Sequence, residues 1–272
     1  MKNLFDIKDK VVVITGAGGV LCGCMAKSLG GHGAKVAVLD LNLESAQAVA
    51  DQIKADGGNA IAVECNVLEK DSIEKAKNIV MEAYGTVDVL INGAGGNHPK
   101  ATTGDNMPLF DIPAEAIQFV FNLNFLGSLL PTQVFGKIMA DNGEGTIINI
   151  SSMNAFKPLT RIPAYSAAKA AISNFTQWLA THMCQNYSKK IRVNAIAPGF
   201  FITNQNRFLV TDEKTGEYTA RGQSIVDHTP MDRFGDAEEL NGTLIWLISE
   251  AAQFVTGVVV PVDGGYSAFG GV

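Results

Sequence analysis

Ser152, Tyr165 and Lys169 stand close together in the stretch INISSMNAFKPLTRIPAYSAAKAAI. A tyrosine hydroxyl is a poor acid–base catalyst near neutral pH, because its free pKa lies about three units too high. A lysine four residues later shares a helix face with the tyrosine and sets a positive charge beside the phenol. That charge favours the phenolate and lowers its pKa. The serine closes an apolar strand, TIINIS, and reaches the same point, where it can hydrogen-bond a carbonyl. Together the three offer chemistry for moving a proton on and off an oxygen beside a hydride acceptor. Tyr-x-x-x-Lys alone also occurs on ordinary amphipathic helices, so the weight rests on its surroundings.

Those surroundings alternate. KVVVIT (10–15), KVAVLD (35–40), AIAVEC (60–65), VDVLING (87–93), GTIINIS (145–151), IRVNAIAP (191–198) and GVVVPVDGG (257–265) read as buried strands, separated by helical segments such as LESAQAVADQIKADG. Strands spaced by helices pair in parallel and carry helices on both faces. The pattern predicts an α/β fold, a doubly wound parallel β-sheet in one domain over residues 1–272. Residues 204–230 are polar by contrast, and a segment of that length between core elements predicts a lid over a site.

The first two strands predict a dinucleotide site. Thr15, Gly16, Gly18 and Gly19 form a glycine-rich turn between the first strand and the first helix. Glycines there let the backbone approach a pyrophosphate at a helix N-terminus. The strand–turn–helix context separates this turn from the many glycine-rich loops that bind nothing. Asp40 ends the second strand, 24 residues after Gly16. A carboxylate at that point accepts hydrogen bonds from both ribose hydroxyls and repels a 2′-phosphate. Leu41 supplies no compensating cation, so NAD is expected rather than NADP.

Composition narrows the partners. With 272 residues, 47% of them hydrophobic, the chain is long enough for a sizeable core. Its net charge of −6 argues against a basic surface for nucleic acid. No apolar run reaches the length of a membrane span, and MKNLFDIKDK is too polar for a signal-peptide core. Cys22, Cys24, Cys65 and Cys184 follow no disulfide or zinc pattern, and no metal is expected. Cys22 and Cys24 read as small residues packing a helix start. A reducing, cytoplasmic setting fits these features.

The glycine turn, Asn92-Gly-Ala-Gly95, Asn124, Ser152, Tyr165-x-x-x-Lys169 and Pro198-Gly199 occur in an order and spacing that resemble the short-chain dehydrogenase/reductase superfamily, from about residue 8 to the final VDGG. The resemblance implies a single-domain Rossmann fold, nicotinamide-dependent hydride transfer and a homotetramer. It makes Tyr165 the acid–base group, with Lys169 lowering its pKa and holding the nicotinamide ribose. Ser152 polarises the substrate carbonyl, and Asn124 supports a water-mediated proton relay to the lysine. On the cofactor side it implies Gly16, Gly18, Gly19, Val20 and Leu21 at the pyrophosphate. Asp40, Leu41, Asn66 and Val67 fall at the adenosine, and Asn92, Gly93 and Ala94 pass near its ribose. Pro198, Gly199, Phe201 and Thr203 fall at the nicotinamide carboxamide. Two departures stand out. Val20 and Cys22 occupy positions where the family's turn has glycine, which leaves the pyrophosphate donors open, and Asn66 replaces the usual aspartate.

GAGGVLCG, NLNFLGSLLPTQVFGK, SSMNAFKPLTRIPAYSAAKAA and APGFFITNQNRFL resemble more specifically the bacterial D-mannonate oxidoreductase (fructuronate reductase) branch. That branch implies reduction of the ketone of D-fructuronate to D-mannonate with NADH. Such a small-molecule sugar acid calls for hydrogen-bond donors and a cation, and strand ends are where open α/β sheets bind ligands. Asn154, His98, Arg161 and Arg207 are the candidates, with Asn97, Lys100, Asn204 and Asn206 nearby. An arginine suits a bidentate grip on a carboxylate, and either Arg161 or Arg207 could supply it. His98 is a substrate contact or a loop histidine bonded to backbone. Three rival readings remain. One is a gluconate 5-dehydrogenase-type enzyme. Another is a 3-oxoacyl carrier-protein reductase, which Asp40 and the acidic balance disfavour. The third is a non-catalytic dinucleotide sensor, which an intact trio disfavours.

Overall fold

Seven short apolar runs become seven strands: β1 (Val11–Thr15), β2 (Lys35–Asp40), β3 (Asn59–Glu64), β4 (Val89–Asn92), β5 (Gly145–Ile150), β6 (Ile191–Pro198) and β7 (Val259–Val262). In the computed structural model, which describes residues 2–203 and 207–271, they pair throughout in parallel, in the order β3-β2-β1-β4-β5-β6-β7. The order reverses between β1 and β4, so a crevice opens at the carboxyl ends of those strands. Both β1 and β4 are buried along their whole length, as strands covered on both faces must be.

Side-chain alternation divides the core in two. Val12 and Ile14 of β1 point to one face, against α1 (Val20–Gly31), α2 (Leu43–Ala55) and α9 (Glu239–Ile248). Val11 and Val13 point to the other, against α3 (Lys70–Tyr84), α5 (Gly127–Asn142) and α6 (Pro163–Asn186). A continuous apolar run thus serves two helix layers, because successive strand side chains face opposite ways.

Between α4 (Ala114–Phe121) and α5 the helix widens into a π-helical turn, Asn122–Leu126. Such turns leave backbone groups free of the ordinary i→i−4 ladder. Here the turn buries Asn124 against the Gly96 backbone, beneath the crevice. From residue 207 on, the segment expected to form a lid carries more regular structure than its polar sequence predicts. It forms α7 (Arg207–Val210) and α8 (Ala220–Asp227), joined by a Thr211–Tyr218 bridge. Val210, Ile225, Val226 and Phe234 give it a small apolar core of its own. Asn204 and Asn206 lie outside the described residues. No helix among the described residues is long and apolar enough to cross a membrane.

Candidate active site

Each member of the trio is placed by a different local device. Ser152 caps a 3₁₀ turn, Met153–Ala155, just past β5, and its Oγ accepts the Asn154 backbone N–H at 3.2 Å. That bond leaves the serine proton to donate, which it does to the Tyr165 oxygen. Tyr165 and Lys169 lie one turn apart at the start of α6, where Pro163 occupies a first-turn position that needs no N–H partner. The Lys169 Nζ donates to the Ile150 carbonyl at 2.8 Å and lies 5.5 Å from the centroid of the Tyr165 ring. Asn124 donates to the Gly96 and Val120 carbonyls, both at 2.7 Å, and accepts the Gly96 N–H at 3.2 Å. A Cβ on Gly95 would lie 2.6 Å from Asn124 Oδ1 and 3.2 Å from Lys169 Nζ. One bare stretch of backbone therefore brings Asn124 and Lys169 together.

The electrostatics differ from the sequence expectation at the tyrosine. Burial pushes the Tyr165 phenol up, and the Ser152 hydroxyl bonded to it pulls the other way without cancelling the effect. Lys169 is not among the causes; burial lowers its own ammonium to about 8. Desolvation outweighs a charge 5.5 Å from the ring, so the lowered phenol expected from the spacing is not what the site shows.

A cleft of about 660 Å³ runs from Asp40 past the glycine turn to Tyr165. Gly16, Gly18, Gly19, Val20 and Leu21 line one stretch of it, with Asp40, Leu41, Asn66 and Val67 beyond them. Gly93, Ala94, Ser152, Tyr165, Lys169, Pro198, Gly199, Phe201 and Thr203 line the rest. Asp40 Oδ2 accepts the Gly18 N–H at 2.9 Å, and Oδ1 accepts that of Asn42 at 3.0 Å. The Gly19 N–H is turned back on Gly16 at 3.2 Å. No side chain caps α1, so the N–H groups of Val20 and Leu21 open its N-terminus toward the cleft. This arrangement fits an anionic pyrophosphate even though the glycines are displaced. The Asn66 amide is engaged in its own turn, with Glu69 at 2.9 Å and Leu68 at 3.1 Å, and Oδ1 retains acceptor capacity.

One expected contact moves into the core. Asn92 is 1% exposed and does not line the cleft. Its Nδ2 bridges Thr132 Oγ1 at 2.9 Å and Asn149 Oδ1 at 2.8 Å, beneath the sheet ends. A polar side chain on a central strand turns inward when facing strands offer partners, and sequence spacing does not reveal the face. Thr15, by contrast, had no expected role beyond opening the turn. Its Oγ1 accepts the N–H groups of Gly93 and Ala94 at 3.1 and 3.2 Å, tying the glycine turn to the end of β4. Cys22 packs a helix start as expected and also lines the cleft, its thiol pushed up to about 12 by burial.

The substrate candidates separate. Asn154 is buried beside Ser152, and its Oδ1 has no hydrogen-bond partner. Such an atom costs about 1–3 kcal/mol unless something meets it. The His98 Nδ1 accepts the Lys100 N–H at 3.1 Å and its ring meets Phe119 edge-on, the backbone-bonded alternative. Arg161 is exposed, its carbonyl taken by the Thr103 N–H. Arg207 is exposed at the start of α7. Neither arginine is among the described residues lining the cleft.

Comparison with known proteins agrees with this geometry. Residues 10–214 match the family model of the short chain dehydrogenases. A Haemophilus influenzae protein known as an uncharacterized oxidoreductase is 54% identical, over 98% of this chain and 96% of its own length. A Haemophilus influenzae crystal structure with bound NAD, provisionally assigned as a D-mannonate oxidoreductase, is 53% identical with a TM-score of 0.91, over 98% of each chain. A gluconate 5-dehydrogenase from Burkholderia cenocepacia, in complex with NADP and tartrate, is 29% identical with a TM-score of 0.87, over 97% of this chain and 98% of its own.

Proposed function

The chain belongs to the short-chain dehydrogenase family, and on that premise we propose that it interconverts a ketone and a secondary alcohol on a sugar acid with NAD, reducing D-fructuronate to D-mannonate. The observation that carries the reading is the single cleft with Asp40 at one end and Ser152, Tyr165 and Lys169 at the other. Nicotinamide, when bound, supplies or accepts the hydride. The remaining steps belong to the chain. Ser152 donates a hydrogen bond to the carbonyl oxygen and orients it, keeping its own proton. Tyr165, held protonated at neutral pH by burial, gives its proton to the oxygen as negative charge develops there. Lys169 keeps a cation beneath the reaction. Asn124, fixed between Gly96 and Val120, lies beside that ammonium and supports its reprotonation.

NAD is favoured because Asp40 faces the adenosine end with both oxygens fixed by backbone N–H groups. A 2′-phosphate would meet that carboxylate directly, with Leu41 beside it exposed and uncharged. The Haemophilus influenzae structure with bound NAD supports the same choice. The segment after Thr203 serves as the lid, and copies of the chain assemble as a homotetramer in the cytoplasm.

Steady-state kinetics with NADH on D-fructuronate, 5-ketogluconate and an acetoacetyl thioester tests the reading. D-Fructuronate should give the highest kcat/KM. Preference for 5-ketogluconate would favour the gluconate 5-dehydrogenase-type alternative, and preference for the thioester would overturn the sugar-acid assignment.

A further inference from the structure

An aromatic side chain on a helix chooses between two χ1 rotamers, about 180° and −60°, and its packing decides which. Ser152 holds the Tyr165 hydroxyl and Lys169 stands 5.5 Å from the ring. A bond at the hydroxyl alone leaves the ring free to swing about it. The remaining contact is apolar. Tyr165 packs against a small cluster of Ala101, Ala116, Val120 and Ala164. Ala116 and Val120 belong to α4, and Ala164 precedes the tyrosine on α6. Ala101 comes instead from the connection after β4, and it is wholly buried.

That connection is built as a strap. Pro99 pre-sets the backbone for a 3₁₀ turn, Pro99–Ala101, and His98 caps it, its Nδ1 accepting the Lys100 N–H at 3.1 Å. The Ala101 N–H returns to the His98 carbonyl at 2.9 Å, and Thr102 Oγ1 donates to the same oxygen at 3.1 Å. The His98 ring rests edge-on against Phe119 of α4. Both ends are clamped to the active site itself. Gly96 exchanges hydrogen bonds with the Asn124 side chain, at 2.7 and 3.2 Å. The Thr103 N–H meets the Arg161 carbonyl at 2.8 Å, and its hydroxyl reaches the same oxygen at 3.4 Å, four residues before Tyr165. A short segment fixed at both ends cannot retreat, so the Ala101 methyl stays pressed into the cluster.

The cluster has one member able to respond to a change in volume there. Alanines have no rotamer to change, and Val120 is stiff at χ1 within its helix. Extra carbons forced into a filled site displace whichever side chain can turn, and that is Tyr165. We infer that Ala101 is a positioning residue for the proton transfer: the clamped turn after β4 uses its methyl to hold the Tyr165 ring, and so keeps the phenol at Ser152, where the carbonyl oxygen arrives. The inference rests on the reading of Tyr165 as the acid given above. It also gives Asn124 a second task, because the side chain beside Lys169 is the one that fastens the near end of the strap. The same packing keeps water from the ring, in keeping with a phenol that burial pushes up.

The test uses the full chain with NADH and the ketone that the wild type reduces fastest among D-fructuronate, 5-ketogluconate and the acetoacetyl thioester. Sites are counted by fluorescence titration with NADH, so that kcat is expressed per folded site. Ala101→Val should lower kcat by about 10- to 100-fold, the order of loss for a reacting group misplaced by about 1 Å. KM for the ketone and Kd for NADH should stay near wild type. Ala101→Ser has almost the volume of alanine, and its hydroxyl can return to the His98 carbonyl, so it should keep kcat near wild type. Ala101→Gly slackens the contact, should also lower kcat, and stands in should the valine variant fail to fold. In a Tyr165→Phe background the valine should cost no further kcat, because the proton no longer comes from the phenol. Equal losses in both backgrounds, or losses in KM and Kd rather than kcat, would make Ala101 part of the scaffold only. An unchanged kcat in the valine and glycine variants would remove it from the mechanism. Each of these results overturns the proposal. Full turnover by Tyr165→Phe alone overturns the acid–base reading instead, whatever the Ala101 variants do.

Discussion

At Tyr165 and Lys169, burial sets the protonation states more than their mutual charge does. The phenol is pushed up and the ammonium comes down to about 8, so near pH 7 both carry the proton that carbonyl reduction needs. Above pH 8 the Lys169 charge is lost, and kcat/KM for reduction should fall along a limb with an apparent pKa near 8. The sign for stability is opposite. The unfolded chain keeps this lysine protonated up to about 10.4, so between the two values folding releases a proton and rising pH favours the folded state through this group. A falling rate with an undiminished Tm over pH 8–10 would tie the limb to the site. A rate flat to pH 10 would show that Lys169 keeps its proton in the working enzyme. In the same experiment Tyr165→Phe should lower kcat by about 10²–10⁴-fold with NADH binding intact; retained turnover would remove Tyr165 from proton transfer. The trio was legible because its spacing is local, on one strand end and one helix. Its protonation was not, because desolvation depends on what the rest of the chain places around it.

The glycine turn between β1 and α1 shows how an element translates an unusual sequence into an ordinary site. Gly18 gives its N–H to Asp40, so the turn and the end of β2 form one unit. A Cβ at Gly18 would lie 2.6 Å from the Ser45 Cβ and 3.0 Å from the Asp40 carboxylate carbon. Gly18→Ala should therefore displace Asp40, raise Kd for NADH roughly tenfold or more through the lost charge-assisted bond, and reduce discrimination against NADPH. Fluorescence titration with the two cofactors checks it, and unchanged affinities would detach Asp40 from recognition. Strand and helix positions followed from periodicity, and β2 and β6 coincide with the runs that announced them. What periodicity missed was direction and partnership. Asn92 sits where expected in β4 but faces Thr132 and Asn149. The π-helical turn at Asn124 follows no repeat. The segment after Arg207 hid an apolar core in Val210, Ile225 and Val226, too widely spaced among polar residues to register.

Over the whole molecule, contacts far apart in sequence were the least legible part. Lys157 and Phe269 are more than a hundred residues apart and meet only because β7 returns the chain beside β6. The outer surface raises a related question on α6. Trp178 is 56% exposed, stacked between Phe175 at 6.0 Å and His182 at 4.7 Å, and Tyr187 extends the row at 5.7 Å from His182. Phe125, within the π-helical turn, joins it at 5.5 Å from Phe175. Aromatic side chains are large contributors of buried area at interfaces, and Trp178 and Tyr187, the exposed members of this row, mark a surface for association. In the proposed homotetramer this row is the surface we expect another copy of the chain to cover. Because the same helix carries Tyr165 and Lys169 at its other end, such a contact would also steady the helix that holds those two residues. Trp178→Glu should lower the mass measured by light scattering and lower thermal stability, with activity per folded chain reduced but not abolished. An unchanged mass would place the association surface elsewhere, and a monomeric wild type would overturn the tetramer.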